Sequence, residues 1–259
     1  MTKRILVTND DGVTAPGLLA LVQAVRKMDG VEVSVLAPDH NWSACGHVKT
    51  MSRPLRVRKT KLADGSQAWT SDGAPSDCVA MAMMGVLDLE FDAVVSGINP
   101  NANVGLDVTY SGTVTAAMEG AISGVPGFAV SLDAPEYHQG PLDYEAAAEA
   151  AVKIIAQLFE QWDGKEPAPI WNINVPYRLE GVYKGVQFTR QGVRLYHDRL
   201  EKRMDPRGVP YYWIGGDPPS GVEEEGSDYG AIKKGFISVT PLRMDMTDLN
   251  RLEESNPFN

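Results

Sequence analysis

The chain has 259 residues, enough for one large core with a smaller appended element but short for two complete domains. Hydrophobic residues make up 43% and charged residues 22% of it, and no apolar run reaches the roughly 18 residues of a membrane span, which excludes the fibrous, disordered and membrane-spanning classes. With 24 basic against 34 acidic residues the formal charge is -10, so stable nucleic-acid binding is not expected, and any anionic substrate needs a local positive charge to receive it.

Met1-Thr2-Lys3-Arg4 leads straight into Ile5-Leu6-Val7 without a long apolar segment, and a cytoplasmic location is expected. Arg4 to Thr8 reads as a strand. Pro16 to Met28 carries Leu18, Leu21, Val22 and Val25 at helical spacing, and Val31 to Leu36 is again a strand, which completes one βαβ unit. Leu55 to Lys59 and Gln67 to Thr70 flank Ala63-Asp64-Gly65 as a small hairpin. Ser76 to Leu87 predicts a helix whose Met81, Met83 and Met84 belong to the core. A strand at Asp92 to Ser96, a helix at Thr113 to Ser123 and a strand at Gly127 to Leu132 follow. Tyr144 to Trp162 predicts a long amphipathic helix, and Pro169 to Val175 a further strand. This alternation implies an α/β fold with a mostly parallel, doubly wound sheet.

Beyond Pro176 the texture changes. Val186 to Arg190, Val209 to Ile214 and Phe236 to Thr240 read as strands, with a short helix at Asp228 to Lys234. Gly215 to Gly226, with two prolines and Glu223-Glu224-Glu225, reads as a solvent loop. The expected division is a catalytic domain at 1–176 and a β-rich arm with the C-terminal segment at 177–259.

Ligands of an open parallel sheet bind beyond the carboxyl ends of its strands, because helices cover both faces. Three such loops carry oxygen donors: Asn9-Asp10-Asp11-Gly12, Pro38-Asp39-His40-Asn41-Trp42-Ser43, and Gly97-Ile98-Asn99-Pro100-Asn101. Two adjacent carboxylates leaving a buried strand repel one another and lose hydration, penalties that a cation relieves. Carboxylate, hydroxyl and amide oxygens without a thiolate favour a hard ion, Mg²⁺ or Mn²⁺. The competing reading of Asp10-Asp11-Gly12 is a turn that caps the next helix. The run from Gly97 to Gly112 is long, rich in Asn and Gly and without evident secondary structure, and it ends in Ser111-Gly112-Thr113 at a helix start, where backbone N–H groups make an anion seat or Ser111 merely caps. Asp72 and Asp77 are read as turn and cap residues. His40 and His47 lie near the suspected cleft without zinc spacing. Cys45 and Cys78 lack CxxC spacing and are read as structural. Neither GxxxxGK[ST] nor GxGxxG follows a strand.

Taken in order, ILVTNDDG, APDHNWSACGH, SDGAPSDCV, VVSGINPNANVG, YSGTVTAAMEG, NINVP and FTRQG resemble the survival protein SurE family of metal-dependent nucleoside-monophosphate phosphatases, across most of the chain. The resemblance implies a Rossmann-like domain and one divalent metal per subunit, Mg or Mn, on Asp10, Asp11, Ser43 and Asn99. Asn9, Ser111, Gly112 and Thr113 are implied at the phosphate, and Asp10, Asp11 and Asn99 in catalysis. It implies a 5′-nucleotidase, with 3′-nucleotides and short polyphosphate as further substrates, and a C-terminal arm exchanged between subunits of a homodimer or tetramer, which accounts for the exposed Tyr211-Tyr212-Trp213. The segment from His40 to Trp42 departs from the family, which often has a basic or small residue there. A non-catalytic nucleotide sensor using the same pocket is the alternative, and a nucleotide-sugar transferase ranks below both.

Overall fold

A computed structural model describes residues 2–165, 167–178 and 182–253; the end of the expected arm segment, 254–259, lies outside the described residues. The chain runs β1 (Lys3–Thr8), α1 (Pro16–Val25), β2 (Val31–Pro38), β3 (Val57–Lys61), β4 (Gln67–Ser71), α2 (Pro75–Met83), β5 (Ala93–Asn99), a 3₁₀ turn (Gly105–Thr109), α3 (Gly112–Ile122) and β6 (Gly127–Asp133). It continues through α4 (Glu145–Gln161), β7 (Ile170–Pro176), β8 (Val186–Phe188), β9 (Arg194–Met204), β10 (Pro210–Gly221), α5 (Asp228–Lys233) and β11 (Ile237–Leu242).

Alternation within the strands builds the two layers. In β1, Ile5 and Val7 enter a core shared with Leu18, Leu21 and Val22 of α1 and Ala151 and Ile155 of α4. Leu6 between them joins Cys78 and Val79 of α2 and Ala116 of α3 on the opposite side. Nine strands form one sheet in the order β3-β4-β2-β1-β5-β6-β7-β11-β8. β2, β1, β5, β6 and β7 run parallel, β11 is antiparallel to β7, and β8 is parallel to β11. The expected hairpin forms as β3 against β4, and β4 pairs parallel with β2, so the hairpin extends the main sheet. The α/β, mostly parallel doubly wound architecture read from the sequence is the observed one. From β1 the chain builds outward through β2, then returns to β5 on the other side of β1, so the β1/β5 boundary is the topological switch point.

Three readings need correction. The sequence pattern assigns no element to Arg194–Met204 and a loop to Gly215–Gly221; both are strand, and β9 pairs antiparallel with β10 over nearly its whole length. Both strands are exposed at almost every position, so neither needs the apolar alternation that marks a half-buried strand. The prolines Pro218 and Pro219 sit where the register shifts between Asp217 and Ser220, an irregularity that accommodates missing N–H donors. Met84 is 73% exposed, because α2 ends at Met83 and Met84 is already its C-cap.

Gly97 fixes the path of β5 near the switch point. Its φ is +136°, and a Cβ there would fall 2.2 Å from the Val130 carbonyl oxygen of β6. The β5–β6 register shifts at this point, between Ser96 and Asn99, and resumes with Asn99 opposite Ser131. Gly97→Ala is therefore expected to cost about 2–4 kcal/mol of folding stability, read as a lower urea midpoint with unchanged slope.

Candidate functional site

Asp10 follows β1 and is 3% exposed. Burial pushes its carboxyl above the ordinary aspartate value, and hydrogen bonding from Thr113 works against that rise. The Thr113 hydroxyl donates to Asp10 Oδ1 at 2.5 Å. Helix α3 begins at this contact: Ser111 is its N-cap, its Oγ accepting from the Val114 N–H at 3.1 Å. A Cβ on Gly112 would lie 2.8 Å from Asp10 Cβ and 3.0 Å from Cys45 Sγ, so glycine lets the helix end close on the carboxylate. The positive end of the α3 dipole thus faces Asp10 and favours its charged form.

Asp11 is driven up to about 7, by burial first and then by the Asp10 charge. Its Oδ1 accepts from Asn41 Nδ2 at 3.2 Å, and Asn41 Oδ1 accepts from the Ser43 N–H at 2.7 Å. The Trp42 N–H donates to the Asp10 carbonyl at 2.7 Å, which closes the second loop over the first. Trp42 stacks against His40 with ring centroids 5.0 Å apart, and its Nε1 is buried without a partner.

Asp10, Ser43, Asn99 and Ser111 line one cleft of about 670 Å³. Asp11, Asn9, Gly112 and Thr113 are not among its lining residues; Asp11 is half-buried, and the other three are buried. Neither His40 nor His47 lines it. Asn99 spends its Nδ2 on the Asn101 carbonyl, which leaves Oδ1 as its free polar atom. Asn9 likewise gives Nδ2 to the Gly12 carbonyl at 3.0 Å, and its Oδ1 is buried with no partner among the described residues, as are Thr8 Oγ1 and Ser96 Oγ, residues paired across β1 and β5. Orphaned acceptors and two charge-repelling carboxylates fit a hard divalent cation. Among the described residues no group of three or more His, Cys, Asp or Glu gathers as for a metal ion; the candidate donor set has two carboxylates and is completed by hydroxyl and amide oxygens.

The other motifs hold these loops. Asp77 accepts from the Thr50 N–H at 2.8 Å, from the Thr50 hydroxyl at 2.6 Å and from the Ala74 N–H at 3.0 Å, so it caps α2 and pins the chain after Ser43. Asp72 lies near Arg53 and Arg56. Glu119, on α3, is buried and meets His47 Nε2 at 2.9 Å and Lys49 Nζ at 3.3 Å. Cys78 is buried in the core, and burial raises the half-buried Cys45 thiol to about 11, which argues against a reactive thiolate.

Sequence reasoning missed the far wall of the cleft. Arg194 Nε lies 3.0 Å from Asp107 Oδ2, and the Tyr196 hydroxyl donates to Asp107 Oδ1 at 2.7 Å. Tyr110 packs edge-on to Tyr196 with centroids 6.4 Å apart. Arg194 and Tyr196 belong to the unrecognised strand β9. The one signal for them was the position of an acid, Asp107, within the polar run after β5.

A mostly parallel sheet with a buried carboxylate at the switch point, set against a helix N-terminus, defines an α/β protein of Rossmann-like architecture with its cleft at the strand ends. Residues 5–198 match the family described as Survival protein SurE. The 5'-nucleotidase SurE of Chloroflexus aggregans is 49% identical over 250 residues, 96% of each chain, and 5'-nucleotidase SurE 1 of Thermus thermophilus is 44% identical, covering 96% of this chain and 95% of that one. The crystal structure of the SurE protein from Aquifex aeolicus superposes with a TM-score of 0.78 at 38% identity, covering 96% of this chain and 97% of that one. The chain belongs to the SurE family.

The pairing of Glu119 with His47 and Lys49 holds its carboxyl below the ordinary glutamate value. A lowered carboxylate contributes stability above its unfolded value and loses it as pH falls through the folded one. Glu119→Gln is expected to cost about 1–3 kcal/mol at pH 7, with the difference from the parent shrinking below about pH 4.3; denaturant titrations at pH 7 and pH 3.5 check it.

Proposed function

We propose that the chain is a divalent-metal-dependent phosphatase, a 5′-nucleotidase that hydrolyses nucleoside monophosphates by attack of water on phosphorus. The observation that carries this reading is the buried Asp10, held by Thr113 at the start of α3 and sharing one cleft with Ser43 and Asn99. The relatives' names support the substrate class.

Asp10, Asp11, Ser43 and the Asn99 Oδ1 would hold the ion, Mg²⁺ or Mn²⁺, one per subunit. When bound, that ion supplies Lewis-acid charge to a phosphoryl oxygen. Ser111 and the backbone N–H of Gly112 are the phosphate contacts in this reading, the bound cation and the helix end offset the chain's charge of -10, and Arg194 in the cleft wall is paired with Asp107. Thr113 acts through Asp10, because its hydroxyl proton is already given to that carboxylate. Asn9 offers an acceptor where the sequence reading expected a phosphate contact. Its free oxygen suits water or a cation, and its amide N–H₂ steadies the turn at Gly12. One of the two aspartates takes the proton from water. 3′-Nucleotides and short polyphosphate belong to the same proposal.

Asp10→Asn and Asn99→Ala are expected to abolish phosphate release from nucleoside monophosphates, as EDTA does to the parent, while circular dichroism stays unchanged. Full turnover by both variants in excess Mn²⁺ would sink the assignment. Thr113→Val keeps the shape but removes the Asp10 hydrogen bond, and a loss of about 10–100-fold in kcat/KM is expected, measured on AMP.

The proposed division of labour is 1–176 for metal and phosphate and 177–259 for oligomerisation. In the latter, β8, α5 and β11 pack back on the core, while β9 and β10 form the arm. Tyr212, Trp213 and Ile214 are 53%, 61% and 80% exposed on β10, large apolar side chains on both faces of the arm that suit a homodimer or tetramer. Trp213→Ala with Ile214→Asp is expected to shift the mass seen in light scattering toward monomer. No helix among the described residues is long and apolar enough to cross a membrane; a cytoplasmic location is part of the proposal.

A further inference from the structure

Asn172 and Asn174 stand in β7, a strand inside the sheet, at positions where a buried apolar residue is the ordinary choice. Their alternation with Ile173 and Val175 is the clue. Ile173 and Val175 face the core built on α1 and α4, so Asn172 and Asn174 lie on the opposite face. There they meet backbone. Asn174 Oδ1 accepts from the Asn103 N–H at 2.8 Å, and Asn174 Nδ2 donates to the Asn103 carbonyl at 3.1 Å, so one side-chain amide pairs with both peptide groups of one residue. Asn172 Nδ2 donates to that same carbonyl at 2.7 Å. The Asn103 side chain donates to Ser131 Oγ at 2.8 Å. Asn172, Asn174 and Ser131 are each 0% exposed.

Ser131 carries a second connection. Its backbone is the register partner of Asn99 in β5 and of Asn174 in β7. The residue at the start of the loop and the residue at its turn are therefore fastened to one point on β6. Asn101 and Ala102 run between them, and both line the cleft together with Asn99 and Asn103. The loop buries no large apolar side chain there, and its backbone is held by side-chain amides in place of strand partners.

We propose that Asn174, with Asn172 and Ser131, is a positioning residue of the phosphatase reaction: it fixes the Asn99–Asn103 loop, and with it the amide oxygen of Asn99 and one wall of the substrate cleft. The inference rests on the function proposed above. A carboxamide suits the task because it matches a peptide in donor and acceptor, while leucine or valine here would strand the Asn103 N–H and carbonyl in a dry interior.

The test compares Asn174→Ala and Ser131→Ala with the parent in three measurements: kcat and KM on AMP, Mn²⁺ affinity by calorimetric titration, and melting temperature. Asn174→Ala is expected to lose about 10–100-fold in kcat/KM and to weaken Mn²⁺ binding about tenfold, since groups behind a metal ligand and small displacements of a wall carry effects of that size. Ser131→Ala, which removes one neutral hydrogen bond, is expected to lose about threefold in kcat/KM; it carries the test if Asn174→Ala does not fold. Variants that match the parent in kcat/KM and Mn²⁺ affinity while only their melting temperatures fall overturn the inference and leave the proposed function standing. A parent that releases no phosphate overturns the function, and the inference with it.

Discussion

Asp10 is a carboxylate taken out of water at the end of a central strand, and the rest of the cleft is arranged around that fact. Burial opposes its charge, while the Thr113 hydroxyl and the positive end of α3 favour it. For the helix end to come that close, residue 112 must lack a side chain, and Ser111 must cap the helix without standing between it and Asp10. The loop after β2 then closes over the same point, through the Trp42 N–H and the Asp10 carbonyl. Three segments far apart in sequence are thereby committed to one carboxylate, and each restricts what the others can be.

A second tier of polar contacts holds these segments from behind. Asp77 and Glu119 fasten the chain that follows Ser43 to α2 and α3, and the asparagines of β7 fasten the loop that follows Asn99. Asp228, 0% exposed, accepts from Gly105 at 2.8 Å and from Gly192 at 2.7 Å, which joins the end of that loop to the root of the arm. Buried carboxylates and amides thus hold irregular backbone at several points near the cleft, alongside the apolar contact of Ala102 and Val104 with Ile232.

Much of the sheet was legible because its strands and helices meet a core. Leu18, Leu21, Val22 and Val25 gave α1, and the β-branched runs gave β1, β5 and β6 within a few residues. The arm was only half legible. Arg194 to Met204 carries charges on both faces, and a strand paired only to its neighbour and bathed in solvent leaves no apolar period to read. Its loss hid Arg194 and Tyr196 from the cleft. Met84 went the other way, an apolar residue assigned to the core that the end of α2 left in solvent.

The sequence by itself determined the α/β alternation, the oxygen-rich loops at the strand ends and, through its ordered motifs, the family. Those features are local or one-dimensional. Adjacent Asp10 and Asp11 were equally good as a turn, since Asp and Gly make turns for reasons unconnected with metals. Tertiary structure decided where these carboxylates lie, by burying Asp10 against the start of α3 and leaving Asp11 half-buried beside it in the chain. It also set the local partners of Thr113, whose hydroxyl donates to Asp10, and of Asn9, whose amide donates to the Gly12 carbonyl. Burial and the direction of a hydrogen bond depend on groups dozens of residues away, and no reading along the chain contains them.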